Sequence, residues 1–187
     1  MRREQILDAA LRVYDRGFAG DVTYDEIAAE AGVSRPLVYV YFPDRQALAL
    51  AMAERAATAL QAAFARVGSN PTELSALTAT RVFMEFARDN PITFRQLAGL
   101  AQHASRPVVR RIHDRLLTRA IQELGGDGEA RLIAYGIAGL LRGATAYWLT
   151  HPDVDLEHAA GIVAEVMELV LDRRRRAPGL RRSAVRR

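Results

Sequence analysis

The residues best suited to chemistry in this chain lie between positions 35 and 41. Arginine can donate hydrogen bonds to guanine edges or to phosphates, a tyrosine hydroxyl suits a phosphate oxygen, and leucine can contact a thymine methyl group. The stretch offers these types close together: Arg35, Pro36, Leu37, Tyr39 and Tyr41. The residue types alone leave two interpretations open, a surface that binds nucleic acid or a structural helix corner with exposed tyrosines.

A short predicted helix precedes this stretch. Thr23 and Glu26 have the spacing of a capping box, in which hydroxyl and carboxylate each satisfy a free backbone N–H group. Gly32 follows the helix, and glycine readily adopts the left-handed conformation found at helix C-termini. A tight turn is therefore expected directly before the candidate residues.

A second predicted helix carries the candidate residues. Ser34 is its expected N-cap, and Pro36 is tolerated because N–H groups of the first turn lack intrahelical partners. Val38 and Phe42 are four residues apart and are expected to face the core, which leaves the candidate residues outside. Two capped helices with a glycine-containing turn predict a helix-turn-helix.

The pattern Thr-x-x-x-Ile-Ala-x-x-Ala-Gly-Val-Ser-x-x-x-x-Tyr-x-Tyr-Phe, followed by Asp-Arg-Gln-Ala-Leu, resembles the DNA-binding signature of the tetracycline-repressor (TetR) family. Two positions depart from that family's pattern. Arg45 stands where most members have Lys, which keeps the charge but changes the donor geometry, and Leu37 replaces a smaller residue. The resemblance implies that these residues contact DNA: Thr23, Ser34, Arg35, Pro36, Leu37, Tyr39, Tyr41 and Arg45.

Net charge does not by itself indicate a nucleic-acid partner. The formal charge is +4, and all 26 basic residues are arginine. Residues 173–187 hold eight of them without an acid, which leaves 18 arginines against 22 acidic residues elsewhere. Residues 1–45 contain six arginines and eight acids. The motif, and not overall basicity, therefore supports DNA binding.

Sequence patterns of other functional classes are missing. The chain has no cysteine, and His103, His113, His151 and His158 lack the spacing of a helical metal site. We find neither a Gly-x-Ser-x-Gly elbow nor a phosphate-binding glycine loop. We therefore expect no enzyme activity, no catalytic or metal site and no cofactor. The N-terminus lacks a signal peptide, and no apolar run reaches the roughly 18 residues of a membrane span, so a cytoplasmic protein is expected.

The expected fold is all-α with about nine helices. Residues 1–45 form a three-helix head with the helix-turn-helix, residues 46–176 a larger ligand-binding and dimerisation body, and residues 177–187 a basic tail that we predict to be disordered. Apolar periodicity and breaks at Gly, Asn-Pro and His-Pro place the helices at these approximate residues: 3–16, 24–31, 35–42, 44–67, 74–89, 93–103, 108–124, 129–150 and 155–176.

The body contains many aromatic residues and a few polar ones near them in sequence, the mixture that small-molecule sites use. Aromatic residues at helical spacing are also common in a core, and the sequence leaves both interpretations open. The resemblance implies an effector site between the body helices. The candidate ligand-binding residues are Phe83, Phe86, Phe94, Gln102, His103, His113, Tyr147 and Trp148.

Three glycines interrupt the most apolar predicted helix. Each glycine costs about 1 kcal/mol in a helix interior, so three on one face indicate the close approach of another helix. That helix belongs either to a second copy of the chain or to the same subunit. The resemblance implies a four-helix dimer interface made by the last two long helices, with these residues: Gly136, Gly139, Leu140, Gly143, Ile162, Val166 and Leu169.

The leading hypothesis is a homodimeric DNA-binding transcriptional regulator, most simply a repressor that a small, apolar or aromatic effector releases from its operator. Two alternatives remain. The chain could be a helical interaction or small-molecule-binding module without DNA binding, which the acidic head favours. It could also be a small-molecule enzyme or carrier, although no catalytic pattern supports this.

Overall fold

The computed structural model describes residues 1–16, 22–67, 74–102, 114 and 117–176. Within these ranges the regular structure is entirely helical, which confirms the all-α fold. Residues 117–123 are helical, and the labelled helices are α1 (Arg2–Arg16), α2 (Tyr24–Ala31), α3 (Arg35–Tyr41), α4 (Arg45–Arg66), α5 (Ala76–Asp89), α6 (Pro91–Gln102), α7 (Gly128–Leu149) and α8 (Leu156–Arg176). His103, His113, the side chain of Gln102 and the basic tail lie outside the described residues.

The chain forms two compact units. The first comprises Met1–Gln61 and Asp89–His113, and the second comprises Ala62–Arg88 and Asp114–Arg187. The long helix α4 begins in the first unit and ends in the second.

The first unit is built on one apolar core in which α1, α2, α3 and the start of α4 meet. Val38 and Phe42 are fully buried there, which confirms the inward face predicted for α3. Leu48 and Met52 bring α4 into the same core. The apolar periodicity of residues 3–16 predicts an inward stripe of Ile6, Leu7, Ala10, Leu11 and Tyr14. The first three are fully buried, and Leu11 and Tyr14 are partly buried against the same core.

The second unit contains smaller apolar clusters. One joins Ala76 of α5 to Val163 and Met167 of α8, with Leu140 of α7 packed against it. Another joins Met84 to Ala160, with Trp148 at its side. The apolar periodicity of residues 74–89 predicts Leu77 on the buried side of α5, but Leu77 is exposed, because Ala76 and Thr80 take the inward positions instead.

The beginning of α7 is fixed by two features that the sequence analysis did not predict. The predicted loop at residues 125–128 contains Asp127, whose carboxylate accepts the Ala130 N–H at 2.8 Å and caps the helix. Arg174 at the end of α8 donates to Asp127 at 2.6 Å, and also to Glu129 and the Leu124 carbonyl. The Arg174 side chain is only 8% exposed, so this arginine of the basic run is a structural anchor.

None of the helices in the described ranges has the length and apolar character needed to span a bilayer.

Candidate nucleic-acid interface

The capping box predicted at the start of α2 is present. The Thr23 hydroxyl accepts the Glu26 backbone N–H at 3.2 Å, and the Glu26 carboxylate accepts the Thr23 backbone N–H at 2.7 Å. The hydrogen bonds from Thr23 hold the pKa of Glu26 below its usual value. Thr23 is thus committed to the helix start by two backbone contacts.

The turn between α2 and α3 has the geometry that its glycine predicts. Gly32 has φ of 63° and ψ of 37°, and its N–H donates to the Ala29 carbonyl at 3.2 Å. Ser34 occupies the N-cap position of α3, as predicted, but its hydroxyl makes no capping hydrogen bond within the described residues. The Ser34 carbonyl instead accepts the Leu37 N–H at 3.0 Å.

The outward face of α3 presents the predicted residues together with one that the sequence analysis missed. Arg35, Pro36, Tyr39 and Tyr41 are exposed, and Leu37 is partly buried. Val40 was not selected because an apolar residue between two tyrosines has no evident role by type alone. It is 74% exposed in the structure, on the same outward surface, and its methyl groups are suited to contact a thymine methyl.

Arg35 is held in place by neighbours on both helices of the motif. Its guanidinium pairs with the Asp25 carboxylate of α2 at 3.1 Å and donates to the Tyr39 hydroxyl at 3.4 Å. The guanidinium carbon lies 5.7 Å from the centroid of the Tyr39 ring. That ring in turn packs against Tyr24, with centroids 4.8 Å apart. Burial raises the pKa of Tyr24 to about 12, so its hydroxyl stays neutral.

Arg45 has a different kind of partner. Its Nη2 donates to the Val22 carbonyl at 2.8 Å, and so ties the start of α4 to the residue before the capping box. The preceding residue, Asp44, caps α4 by accepting the Ala47 N–H at 2.7 Å. The assignment of Arg45 to DNA stays a prediction, and the structure adds a role for it inside the protein.

The candidate effector residues are divided between the two units. Phe94 and Gln102 belong to the first unit, and Phe83, Phe86, Tyr147 and Trp148 to the second. Phe86 and Phe94 are buried, and Trp148 donates its indole N–H to the Val154 carbonyl at 2.9 Å. Their role in binding an effector stays a prediction.

Tyr147 differs in exposure from the buried residues Phe86 and Phe94. Its side chain is exposed, and its ring stacks on His151 with centroids 3.8 Å apart. In the described chain this tyrosine faces solvent on the helix that carries the three interrupting glycines.

The glycine face of α7 meets nothing else in the described chain. A Cβ atom built on Gly136 or Gly143 would have no described atom within 4 Å, and one on Gly139 would meet only the Arg142 guanidinium at 4.0 Å. The residues predicted with them on α8, Ile162, Val166 and Leu169, are exposed. Leu140 differs, because it packs against the core of the second unit.

Comparison with known proteins agrees with this architecture. The family described as "Bacterial regulatory proteins, tetR family" matches residues 6–52, which span the capping box, turn and outward face of α3. The HTH-type transcriptional regulator BetI of Brucella anthropi is 28% identical over 182 residues, covering 91% of this chain and 92% of BetI. The HTH-type transcriptional regulator Rv0472c of Mycobacterium tuberculosis is 28% identical over 170 residues, covering 81% of this chain and 69% of Rv0472c.

Solved structures extend the likeness to the whole fold. A TetR-like transcriptional regulator from Rhodococcus sp. RHA1 is 26% identical with a TM-score of 0.65, covering 91% of this chain and 96% of that one. A tetR-family regulator from Streptomyces coelicolor has a TM-score of 0.68 at 21% identity, covering 92% and 81% of the two chains. With the motif geometry, these likenesses show that residues 6–52 match the TetR family and that the chain as a whole is similar to TetR-like transcriptional regulators.

Proposed function

We propose that this TetR-family regulator is a homodimeric repressor that binds its operator through the outward face of α3 and leaves it when a small effector binds. The observation that carries the proposal is the exposed face from Arg35 to Tyr41 on a short helix whose position is fixed from both sides. The capping box and Gly32 define its entry, and the buried side chains of Val38 and Phe42 hold its inner face. The residues left outside are those whose chemistry suits base edges and phosphates.

The dimer proposal is supported by the exposed stripe on α7 and α8. Gly136 and Gly143 leave room for a close helix, and Ile162 and Leu169 are 52% and 74% exposed. A second copy would cover these apolar side chains with the same stripe of its own surface, because a two-fold interface joins the same patch of both subunits. Two heads in one dimer would then meet successive major grooves about 34–36 Å apart.

The effector proposal has support from a similar solved structure and from aromatic residues of the second unit. The same fold is found in the multidrug binding protein EbrR, whose solved structures contain imidazole or proflavin. Aromatic residues on α5 and α7 of this chain are the candidates for such a site: Phe86 is buried, and Phe83 and Trp148 are partly buried. An effector would act by binding the operator-bound and released conformations with different affinity, since a ligand of equal affinity shifts nothing. We propose the cytoplasm as its location, because that is where a bacterial regulator meets its operator.

Selection from random DNA tests the operator proposal. The full-length protein is incubated with a library of random duplexes, and the enriched sequences are determined after several rounds. We expect an inverted repeat whose half-sites are centred about 10 base pairs, or a multiple of that, apart. Failure to enrich any sequence would favour the alternative of a helical module without DNA binding.

A matched pair of substitutions then tests the site. Arg35 and Arg119 are almost equally exposed, at 54% and 55% of the side chain, and each forms an ion pair at 3.1 Å. Only Arg35 lies in the helix-turn-helix. We expect Arg35→Ala to weaken binding to the enriched duplex at least tenfold, roughly the value of one good base contact, and Arg119→Ala to leave it unchanged. Equal effects would overturn the assignment of α3.

A further inference from the structure

The arginine at the start of α3 faces an acid of its own protein on the surface proposed to meet DNA. Asp25 lies in the first turn of α2, and its side chain is 64% exposed. Its carboxylate Oδ2 is 3.1 Å from Nη1 of Arg35. A carboxylate on a DNA-binding surface repels phosphates, so its position beside Arg35, the one basic residue of α3, calls for a specific role.

The ion pair leaves Arg35 able to bind more. A guanidinium has five N–H donors, and here the Tyr39 hydroxyl accepts a hydrogen bond from Nη2 while Asp25 forms an ion pair with Nη1. The remaining donors can bind another acceptor. The two neighbours also restrict the direction of the side chain, because Tyr39 is itself packed on Tyr24.

The two kinds of DNA acceptor respond differently to the carboxylate. Guanine offers O6 and N7, which are neutral acceptors and can share the guanidinium with Asp25. A phosphate is an anion, and contact with the same guanidinium would bring it close to the carboxylate. Like charges placed together at an interface suppress binding to wrong partners. An Arg35 paired with Asp25 therefore favours a base edge over the backbone.

We propose that Asp25 is a specificity-determining residue, which reserves Arg35 for a neutral base edge and suppresses its contact with the phosphates of non-operator DNA. The inference rests on the proposed function of α3. In this role Asp25 acts through Arg35 as a positioning residue, and it adds selectivity without having to contact the operator itself.

The test compares two duplexes of equal length: the one enriched by the wild-type protein and a version with its sequence shuffled. Asp25→Asn removes the charge and keeps the shape. We expect it to raise affinity for the shuffled duplex about three- to tenfold in a protein with two such pairs, and to steepen its salt dependence by about one unit per freed arginine. Affinity for the enriched duplex should change less, so that the ratio of the two affinities falls.

Two controls distinguish this role from a general loss of negative charge. Asp8→Asn removes an acid from α1 of the same unit that pairs with Arg55 rather than Arg35, and we expect it to preserve the affinity ratio. In the Arg35→Ala background, Asp25→Asn should have little effect on the shuffled duplex. Circular dichroism and melting temperature check that each variant is folded, and the affinity ratio itself does not depend on the active fraction.

The outcomes separate the inference from the function on which it rests. If Arg35→Ala weakens the enriched duplex but Asp25→Asn leaves the ratio unchanged, the role of Asp25 is wrong and the operator assignment stands. If Asp25→Asn strengthens shuffled DNA equally with and without Arg35, the effect is general electrostatics and the inference is again wrong. If Arg35→Ala has no effect on the enriched duplex, the proposed reading face itself fails.

Discussion

At the scale of single residues, Arg35 and Arg45 carry the same charge but have partners of different kinds. Arg35 pairs with an exposed carboxylate, an interaction that water and salt screen and that another acceptor can join or replace. Arg45 donates to the backbone carbonyl of Val22. A backbone carbonyl that is shielded from water is destabilising unless it accepts a hydrogen bond. The first contact suits a residue that binds a ligand, and the second suits a residue that fixes a helix start.

We predict that Arg45→Ala lowers both stability and DNA affinity. Loss of the hydrogen bond to Val22 should reduce the free energy of unfolding by about 1 kcal/mol. Loss of a phosphate contact should lower the salt dependence of binding by about one unit for each half-site. Arg45→Lys is the control, because it keeps the charge and loses the planar donor geometry. Denaturant unfolding and salt titrations separate the two roles; an unchanged salt dependence in Arg45→Ala would leave only the structural one.

Val40 provides a second prediction at this scale. Its side chain is 74% exposed, so replacing it should hardly alter stability. Val40→Thr keeps the shape but exchanges one methyl for a hydroxyl. If Val40 contacts a thymine methyl, the variant should lose preference for thymine at one position of each half-site when the random-library selection is repeated. An identical selected sequence would exclude Val40 from base recognition.

At the scale of elements, the helix-turn-helix depends on the conformation of its turn and on ion pairs between α2 and α1. Gly32 takes the left-handed conformation that reverses the chain, and no described atom lies within 4 Å of the Cβ that a larger residue would add. The constraint at this position is therefore conformational and not steric. Glu30, two residues earlier, pairs with Arg12 at 2.6 Å and with Arg16, and so joins α2 to α1.

We predict that Gly32→Ala destabilises the protein by about 1 kcal/mol, because alanine is strained where φ is positive. Gly161→Ala is the matched control: Gly161 lies inside α8 and also has open space around its Cβ position. There alanine should stabilise by up to about 1 kcal/mol through helix propensity. Thermal and urea unfolding of the two variants should show opposite signs.

The acidic groups of the head predict its pH dependence. Hydrogen bonds from Thr23 lower the pKa of Glu26, and hydrogen bonds from Arg12 and Arg16 lower that of Glu30. Both carboxylates therefore bind protons more weakly in the folded state, and stability should fall as the pH drops through and below the ordinary glutamate value of 4.5. Glu30→Gln should reduce this dependence in unfolding measured between pH 3 and 7. An equally steep acid loss in the variant would assign the effect to other groups.

At the scale of the whole molecule, the chain leaves an apolar stripe on its last two helices uncovered. Single exposed apolar residues are common, but this stripe adds Leu132 and Val170 to the predicted residues of both helices. Because large exposed apolar patches often form interaction surfaces, we expect these two helix faces to bind a partner. Each glycine destabilises its helix relative to alanine. On a surface that always faces water, no close helix contact would offset that cost.

We predict a dimer that depends on this stripe. Leu169→Asp should place an uncompensated charge in the interface and produce monomers in light scattering at micromolar concentration. Leu77→Asp is the control, because Leu77 is an exposed leucine of α5 outside the stripe. A monomeric wild-type protein would contradict the interface, and loss of the dimer in both variants would indicate a general defect in folding.

Much of the helical framework could be predicted because its determinants are local. A capping box, a glycine at a helix end and the four-residue spacing of Val38 and Phe42 each involve a few neighbouring residues, and the structure shows all three as expected. The same locality accounts for the recognised family pattern, which is concentrated in one stretch.

Only the tertiary structure decided which partners the charged residues take. Asp25 meets Arg35, Arg45 meets the Val22 carbonyl, and Arg174 is buried against residues about 50 positions earlier. These contacts depend on how separate helices pack, and many equivalent arginines compete for the same acids in the sequence. Tertiary structure also decided that the glycine face of α7 has no described neighbour in its own chain, because packing and not helix periodicity determines which faces a core covers.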